Sequence, residues 1–408
     1  MGSTGVSAPQ RAVLVAALLL TGLSMRTAVT SVGAALDDLQ RGLHASGTSA
    51  GVITTLPVIC FAGFGVMTPQ LTHRFGAHRL LTVALVVTTI GLATRPLAGD
   101  AAVFAVLSVV ALAGAAVSNV LMPSLVKLHF PERIGTMTAL YTTALAVGAT
   151  AAAGLTVPIG DVAGGWRAGL GTWAVVSGVA VLPWLPTIAR DRYGDSVQRA
   201  RGIPIAALLH SRTAWLLAIF FGTQSMQAYI AFGWFARFLT DHGIANGTAG
   251  VMLALLSAIG IPVSLVAPRI PARHHRLLVA VFAGCYIASY VLMAAAPRST
   301  AWVWMVLAGV GGGTFPFVLS LLGIRARTPA TTATLSAFVQ VIGYVIAGTG
   351  PLLFGALFGS TGSWAPSLVV LFVAVTVMTA VAIPSTAPRY VDDELGASVD
   401  DDLAASGR

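Results

Sequence analysis

Residues 12–34 read AVLVAALLLTGLSMRTAVTSVGA, an apolar run interrupted by a single charge, Arg26. Its length matches the roughly 20 residues a helix needs to cross about 30 Å of hydrocarbon. Comparable runs recur near 49–71, 80–97, 101–126, 134–159 and 168–188, and again near 213–236, 248–268, 277–296, 300–323, 332–358 and 364–386. They are continuous rather than alternating and rich in Ala, Leu, Val and Gly, so they predict helices and not the strands of a membrane barrel. The expectation is an all-α membrane protein with twelve transmembrane helices.

Composition points to the same solvent. The 408 residues are 56% hydrophobic and 9% charged, where soluble domains carry roughly 25% charged residues. A net charge of +9 would suggest nucleic-acid binding in a soluble chain. Here the basic residues fall in short loops between apolar runs, so no nucleic-acid partner is expected, and membrane lipid is. With both termini inside, seventeen Lys and Arg lie on the cytoplasmic side and five, Arg41, Arg95, Arg167, Arg237 and Arg298, on the outer side. That asymmetry predicts an N-in, C-in topology. Only Arg11 precedes the first run and no small-residue cleavage site follows it, so the first span reads as retained. Cys60 and Cys285 lie on different spans and read as packing residues rather than a disulfide.

The chain divides into a cytoplasmic N-terminus (1–11), a six-helix half (12–188), a basic cytoplasmic linker (189–211), a second six-helix half (212–388) and an acidic tail (389–408). The tail carries Asp392, Asp393, Glu394, Asp400, Asp401 and Asp402 with few apolar residues, a composition that predicts disorder. The halves repeat one another at an offset of about 200. Ser24-Met25-Arg26 aligns with Ser225-Met226-Gln227, Gly47-Thr48 with Gly247-Thr248, and Arg79-Leu80-Leu81 with Arg276-Leu277-Leu278. Leu112-Ala113-Gly114 aligns with Leu307-Ala308-Gly309, followed by Pro123 and Pro316 in the fourth and tenth spans, where kinks are expected. Two parallel, pseudo-symmetric six-helix halves with a central substrate site are the design of one large transporter class.

Particular residues sharpen this. Gly22-Leu23-Ser24-Met25-Arg26 with Thr30-Ser31-Val32-Gly33, then Leu56-Pro57-Val58, Met122-Pro123-Ser124-Leu125-Val126-Lys127, and the stretch from Ala337 through Gln340 and Tyr344 to Gly348, resemble the cyanate permease and 2-nitroimidazole transporter branch of the major facilitator superfamily. The resemblance runs through nearly the whole chain and implies a multi-pass protein, a monomer, in the cytoplasmic membrane of a prokaryote. One departure stands out: in the loop after the second span, His73 sits where the superfamily usually carries an Asp, beside Arg74 and Arg79. A gating salt bridge through that acid is therefore not expected. Gly148, Gly154, Pro158 and Gly160 in the fifth span resemble an antiporter-type motif and read first as close helix packing.

Arg26 is the candidate centre of the chemistry. It lies about 14 residues into its run, roughly 21 Å from the inner end, where an arginine costs roughly 2.5–3.5 kcal/mol and usually faces a cavity. No Asp, Glu, Lys or His falls inside any of the twelve runs. Compensation must come from an anionic ligand, from helix carbonyls, or from Asp37 or Asp38 folding back. A guanidinium fork suits a carboxylate or another planar oxyanion. Gln227 occupies the repeat position of Arg26, and Gln340 lies in the most family-like stretch. Thr27, Asn119, Tyr141, Gln224 and Tyr344 are further polar candidates, each equally suited to helix-to-helix bonding. Met25, Phe315 and Trp234 are candidates for an apolar wall. No intramembrane acid or histidine relay is available for proton coupling.

The leading expectation is alternating-access transport of a small anion or small planar polar compound anchored by Arg26. Drug or metabolite efflux with a structural Arg26, and a transporter-like sensor, are the alternatives. No nucleophile with its base, nucleotide loop or metal-ligand spacing is present, so neither an enzyme, a cofactor nor a metal is expected.

Overall fold

The computed structural model describes residues 8–44, 47–192 and 204–396. Twelve helices within them are long and apolar enough to cross a membrane: Gln10–Ala34, Thr55–Phe75, Ala77–Leu97, Ala101–His129, Pro131–Ala163, Trp166–Ile188, Arg212–Asp241, Thr248–Arg269, Ala272–Ala295, Ala301–Ile324, Pro329–Thr361 and Trp364–Ser385. Each overlaps one of the runs anticipated from hydropathy, and most extend beyond it where the helix outlasts its apolar stretch. Large apolar side chains that remain open, among them Val106, Val345 and Leu352, lie along these helices, as lipid contact requires.

Helix ends follow local chemistry. Asp100 accepts from the backbone N–H of Ala102 (2.8 Å) and Val103 (2.9 Å) at the start of the fourth span. Ser211 and Thr328 cap the seventh and eleventh spans in the same way, satisfying donors that the first helical turn leaves open. Gly164 and Gly362 close the fifth and eleventh spans at φ 93° and 66°, the left-handed conformation that glycine adopts without strain.

The chain forms two compact units, one of Met1–Arg133 with Leu140–Arg201 and the other of Ile134–Ala139 with Gly202–Arg408. In the first, the first and fifth spans approach until their backbones touch. A side chain at Gly22 would meet the Tyr141 carbonyl, and one at Gly148 would run into the Leu23 carbonyl. Gly154, by contrast, faces open space, so close packing in this glycine pattern is confined to part of it. The indole of the fully buried Trp184 donates to Thr21 Oγ (2.9 Å), tying the end of the sixth span to the first.

The two prolines where kinks are expected stand in different surroundings. Pro123 lies inside a helix that runs unbroken from Ala101 to His129. The tenth span breaks, into Ala301–Gly311 and Thr314–Ile324. A proline both lacks an N–H and crowds the carbonyl four residues before it; for Pro316 that carbonyl belongs to Gly312, where the interruption falls. The first span is also interrupted, into Ala8–Met25 and Thr27–Ala34, with Arg26 at the junction. Its repeat partner, the seventh span, runs continuously from Arg212 to Asp241.

The acidic tail is not disordered over its first part. Residues 391–396 form a helical turn that buries Val391 and Leu395, while its acids bond to the second unit. Asp392 accepts from the N–H of Arg327 (2.6 Å) and from Thr331 Oγ (2.8 Å). Asp393 takes both arms of the Arg327 guanidinium at 2.7 and 2.6 Å. Glu394 accepts from Ser211 Oγ, Thr213 Oγ and the Thr213 N–H. Composition predicts a solvated end; the unfilled donors at two helix starts supply partners that composition does not reveal. Asp400, Asp401 and Asp402, the middle of the linker and residues 1–7 lie outside the described residues.

Candidate functional site

In the first unit, Met25, Arg26 and Thr27 stand at the break in the first span. Arg26 is partly exposed, whereas Met25 and Thr27 are buried. The Arg26 carbonyl accepts from the N–H groups of Val29 (3.1 Å) and Thr30 (3.0 Å) and from Thr30 Oγ (3.0 Å), which fixes its backbone at the head of the second helical piece. Thr27 Oγ donates to the Ser24 carbonyl (2.8 Å). Asp38 pairs with Arg41 at 2.6 Å, so that acid is engaged on its own helical turn. Asn119 is buried on the fourth span. Tyr141 is also buried, and its hydroxyl has no hydrogen-bond partner among the described residues, a costly arrangement for a buried polar atom.

The second unit holds the remaining candidates. Gln227 is 2% exposed and its amide is fully engaged. Its Nε2 donates to the Thr223 carbonyl (3.2 Å) and to Met378 Sδ (3.3 Å), while Oε1 accepts from Tyr290 Oη at 2.8 Å. Gln224 donates to the neighbouring Ser225 Oγ (2.6 Å). Gln340 and Tyr344 are buried on the eleventh span. The fold brings Phe315 and Tyr344 together around Phe221: ring centroids lie 6.1 Å from Phe315 and 5.3 Å, edge-on, from Tyr344. Gly343 makes room for the Phe221 ring. Trp234 is committed elsewhere, donating to the Pro351 carbonyl (3.1 Å) and packing on Phe354 and Trp364.

Sequence reading missed three residues that matter. Phe221 and Tyr290 look like ordinary apolar-run aromatics until their partners are known. Arg95 was expected at the outer surface. It is 0% exposed, so Arg26 is not the sole cation inside the spans. The available signal was its place inside the 80–97 run, just before Pro96.

Twelve helices long and apolar enough to cross a membrane, among the described residues, define a polytopic membrane-protein fold. Residues 18–351 match the family model of the Major Facilitator Superfamily, and the chain belongs to that family. It is 33% identical over 383 residues to the transporter YycB of Bacillus subtilis, covering 93% of this chain and 94% of that one. It is 28% identical over 370 residues to the 2-nitroimidazole transporter of Escherichia coli K12, with 90% and 93% covered. The cyanate transport protein CynX of the same organism is 27% identical over 350 residues, with 85% and 90% covered. Membership and these relatives indicate transport rather than catalysis.

Proposed function

We propose that this protein moves a small anion or small planar polar compound, of the size of cyanate or a nitroheterocycle, across a bacterial cytoplasmic membrane by alternating access, with Arg26 as the electrostatic anchor. The observation that carries the reading is the position of Arg26: a half-buried arginine at a break in an otherwise apolar span. Such a break lets the second helical piece present its N-terminal, electropositive end beside the charge. The relatives that carry cyanate and 2-nitroimidazole support the substrate class. The basic-residue asymmetry supports both termini facing the cytoplasm, and the chain works as a monomer of two halves, 12–188 and 212–388, surrounded by lipid, with no nucleic-acid partner.

Proteoliposome uptake of labelled cyanate and 2-nitroimidazole tests this directly. Arg26→Ala is expected to insert normally and to lose uptake of the anion by at least about tenfold, since a charge-assisted contact of this kind contributes on the order of 1.5–3 kcal/mol. Wild-type uptake by that variant refutes the anchor.

A further inference from the structure

Arg95 closes the third span, and its guanidinium lies wholly inside the first unit. One arm, Nη1, donates to the Ala28 carbonyl at 2.8 Å, and the other, Nη2, to Ser31 Oγ at 2.8 Å. Ser31 in turn donates to the Thr27 carbonyl at 2.5 Å. The face of the Phe104 ring lies below the cation, 5.9 Å from its centre, and Val32 and Ala98 belong to the same apolar cluster as that ring. Among the described residues, Nε has no hydrogen-bond partner and no carboxylate pairs with this guanidinium.

A buried cation held this way is an expensive way to fill space, and an apolar residue of similar volume is often as stable or more so. What the guanidinium provides that an apolar residue does not is a rigid two-pronged grip. Its targets are two residues of one helical piece, Ala28 and Ser31, the second of which bonds back to the Thr27 carbonyl directly after the break at Arg26. The interruption at Arg26 is where the first span can change direction, so the direction of the Arg26 side chain depends on how that second piece is held. Arg95 holds it from the neighbouring span.

We propose that Arg95 is the positioning residue of the Arg26 site: it clamps the segment from Thr27 to Ser31 so that the guanidinium of Arg26 meets a small anion in a fixed orientation. The role rests on the reading of Arg26 as the anchor. Arg95 itself, being fully enclosed, does not touch the substrate.

The test compares wild type, Arg95→Gln, Arg95→Lys, Ser31→Ala and Arg26→Ala in proteoliposomes, using labelled cyanate as probe, with backbone hydrogen exchange over residues 27–34 recorded on the same preparations. Arg95→Gln is expected to raise KM by roughly tenfold or more with little change in the maximal rate, as a misdirected binding group does, and to speed exchange over 27–34. Ser31→Ala loses one of the two prongs' targets and is expected to raise KM a few-fold. Arg95→Lys keeps the charge without the fork and is expected to restore KM only in part. If Arg26→Ala is inactive while Arg95→Gln, folded by its exchange pattern elsewhere, keeps the wild-type KM, the positioning role is overturned and the anchor stands. If Arg26→Ala transports normally, the anchor falls and the positioning role with it. Should Arg95→Gln fail to fold, Ser31→Ala decides: a wild-type KM together with unchanged exchange over 27–34 overturns the clamp.

Discussion

Replacing Glu394 by Gln asks whether the first turn of the tail is a clasp on the second unit. Glu394 Oε2 receives Ser211 Oγ at 2.7 Å and the Thr213 N–H at 3.1 Å, while Oε1 receives Thr213 Oγ at 2.6 Å. Gln has nearly the same shape but turns one acceptor into an NH2 that confronts donors, and it removes a negative charge from a helix N-terminus. Bonds to a charged group contribute about 1.5–3 kcal/mol and the helix dipole about 0.3–1 kcal/mol. Glu394 is only partly buried, so solvent screening holds the total near the low end. The expected loss is about 1–2 kcal/mol, or roughly a 5- to 30-fold fall in the docked population of residues 391–396. Burial pushes the Glu394 carboxyl up, but hydrogen bonds from Thr213 and Ser211 outweigh it and hold the carboxyl below its ordinary value of 4.5. A carboxyl lowered in the folded state stabilises above its ordinary value and loses that contribution as pH falls through the lowered one. Hydrogen exchange over 391–396 in nanodiscs is therefore slow at pH 7 in wild type, with an opening step below about pH 4.5, and Glu394→Gln is fast at both. Equal protection in the two proteins at pH 7, or an unchanged acid step in the variant, refutes the clasp.

Two further outcomes follow from packing. Gly148→Val drives methyl groups into the Leu23 carbonyl and should abolish folded yield, whereas Gly154→Ala, facing open space, should match wild type in detergent melting; the reverse order would show the first and fifth spans packed otherwise. Gln227→Leu and Tyr290→Phe remove the two ends of one buried bond. A double-mutant cycle on thermal stability should give a coupling of about 0.5–1.5 kcal/mol, and additive losses would mean that the bond is not made.

The spans were legible because their signal is local: each is a run of apolar residues long enough for a bilayer, whatever surrounds it. Arg26 was legible for the same reason, as a charge in the wrong solvent. Gln227 was legible as a repeat partner, but its amide faces Tyr290, 63 residues away, and no pattern along the chain announces that bond. The tail shows the limit most plainly. Its acids read as a solvated end, yet Glu394 takes an open N–H and two hydroxyls at the start of the seventh helix, while Asp392 takes the Arg327 N–H and the Thr331 hydroxyl and Asp393 the Arg327 guanidinium beside the eleventh; these donors come within reach only once the helices stand beside the tail.

Sequence alone, then, determined the solvent, the number of spans and the helix on which an unexpected charge sits, because hydropathy acts residue by residue over about 20 positions. The tertiary structure decided which charges are enclosed. Arg95, at the end of its run, had water as its default neighbour; the carbonyl of Ala28 and the hydroxyl of Ser31, on another helix, turn it inward. A guanidinium takes the side on which its donors are best satisfied, and those acceptors exist only when the first and third spans are packed together.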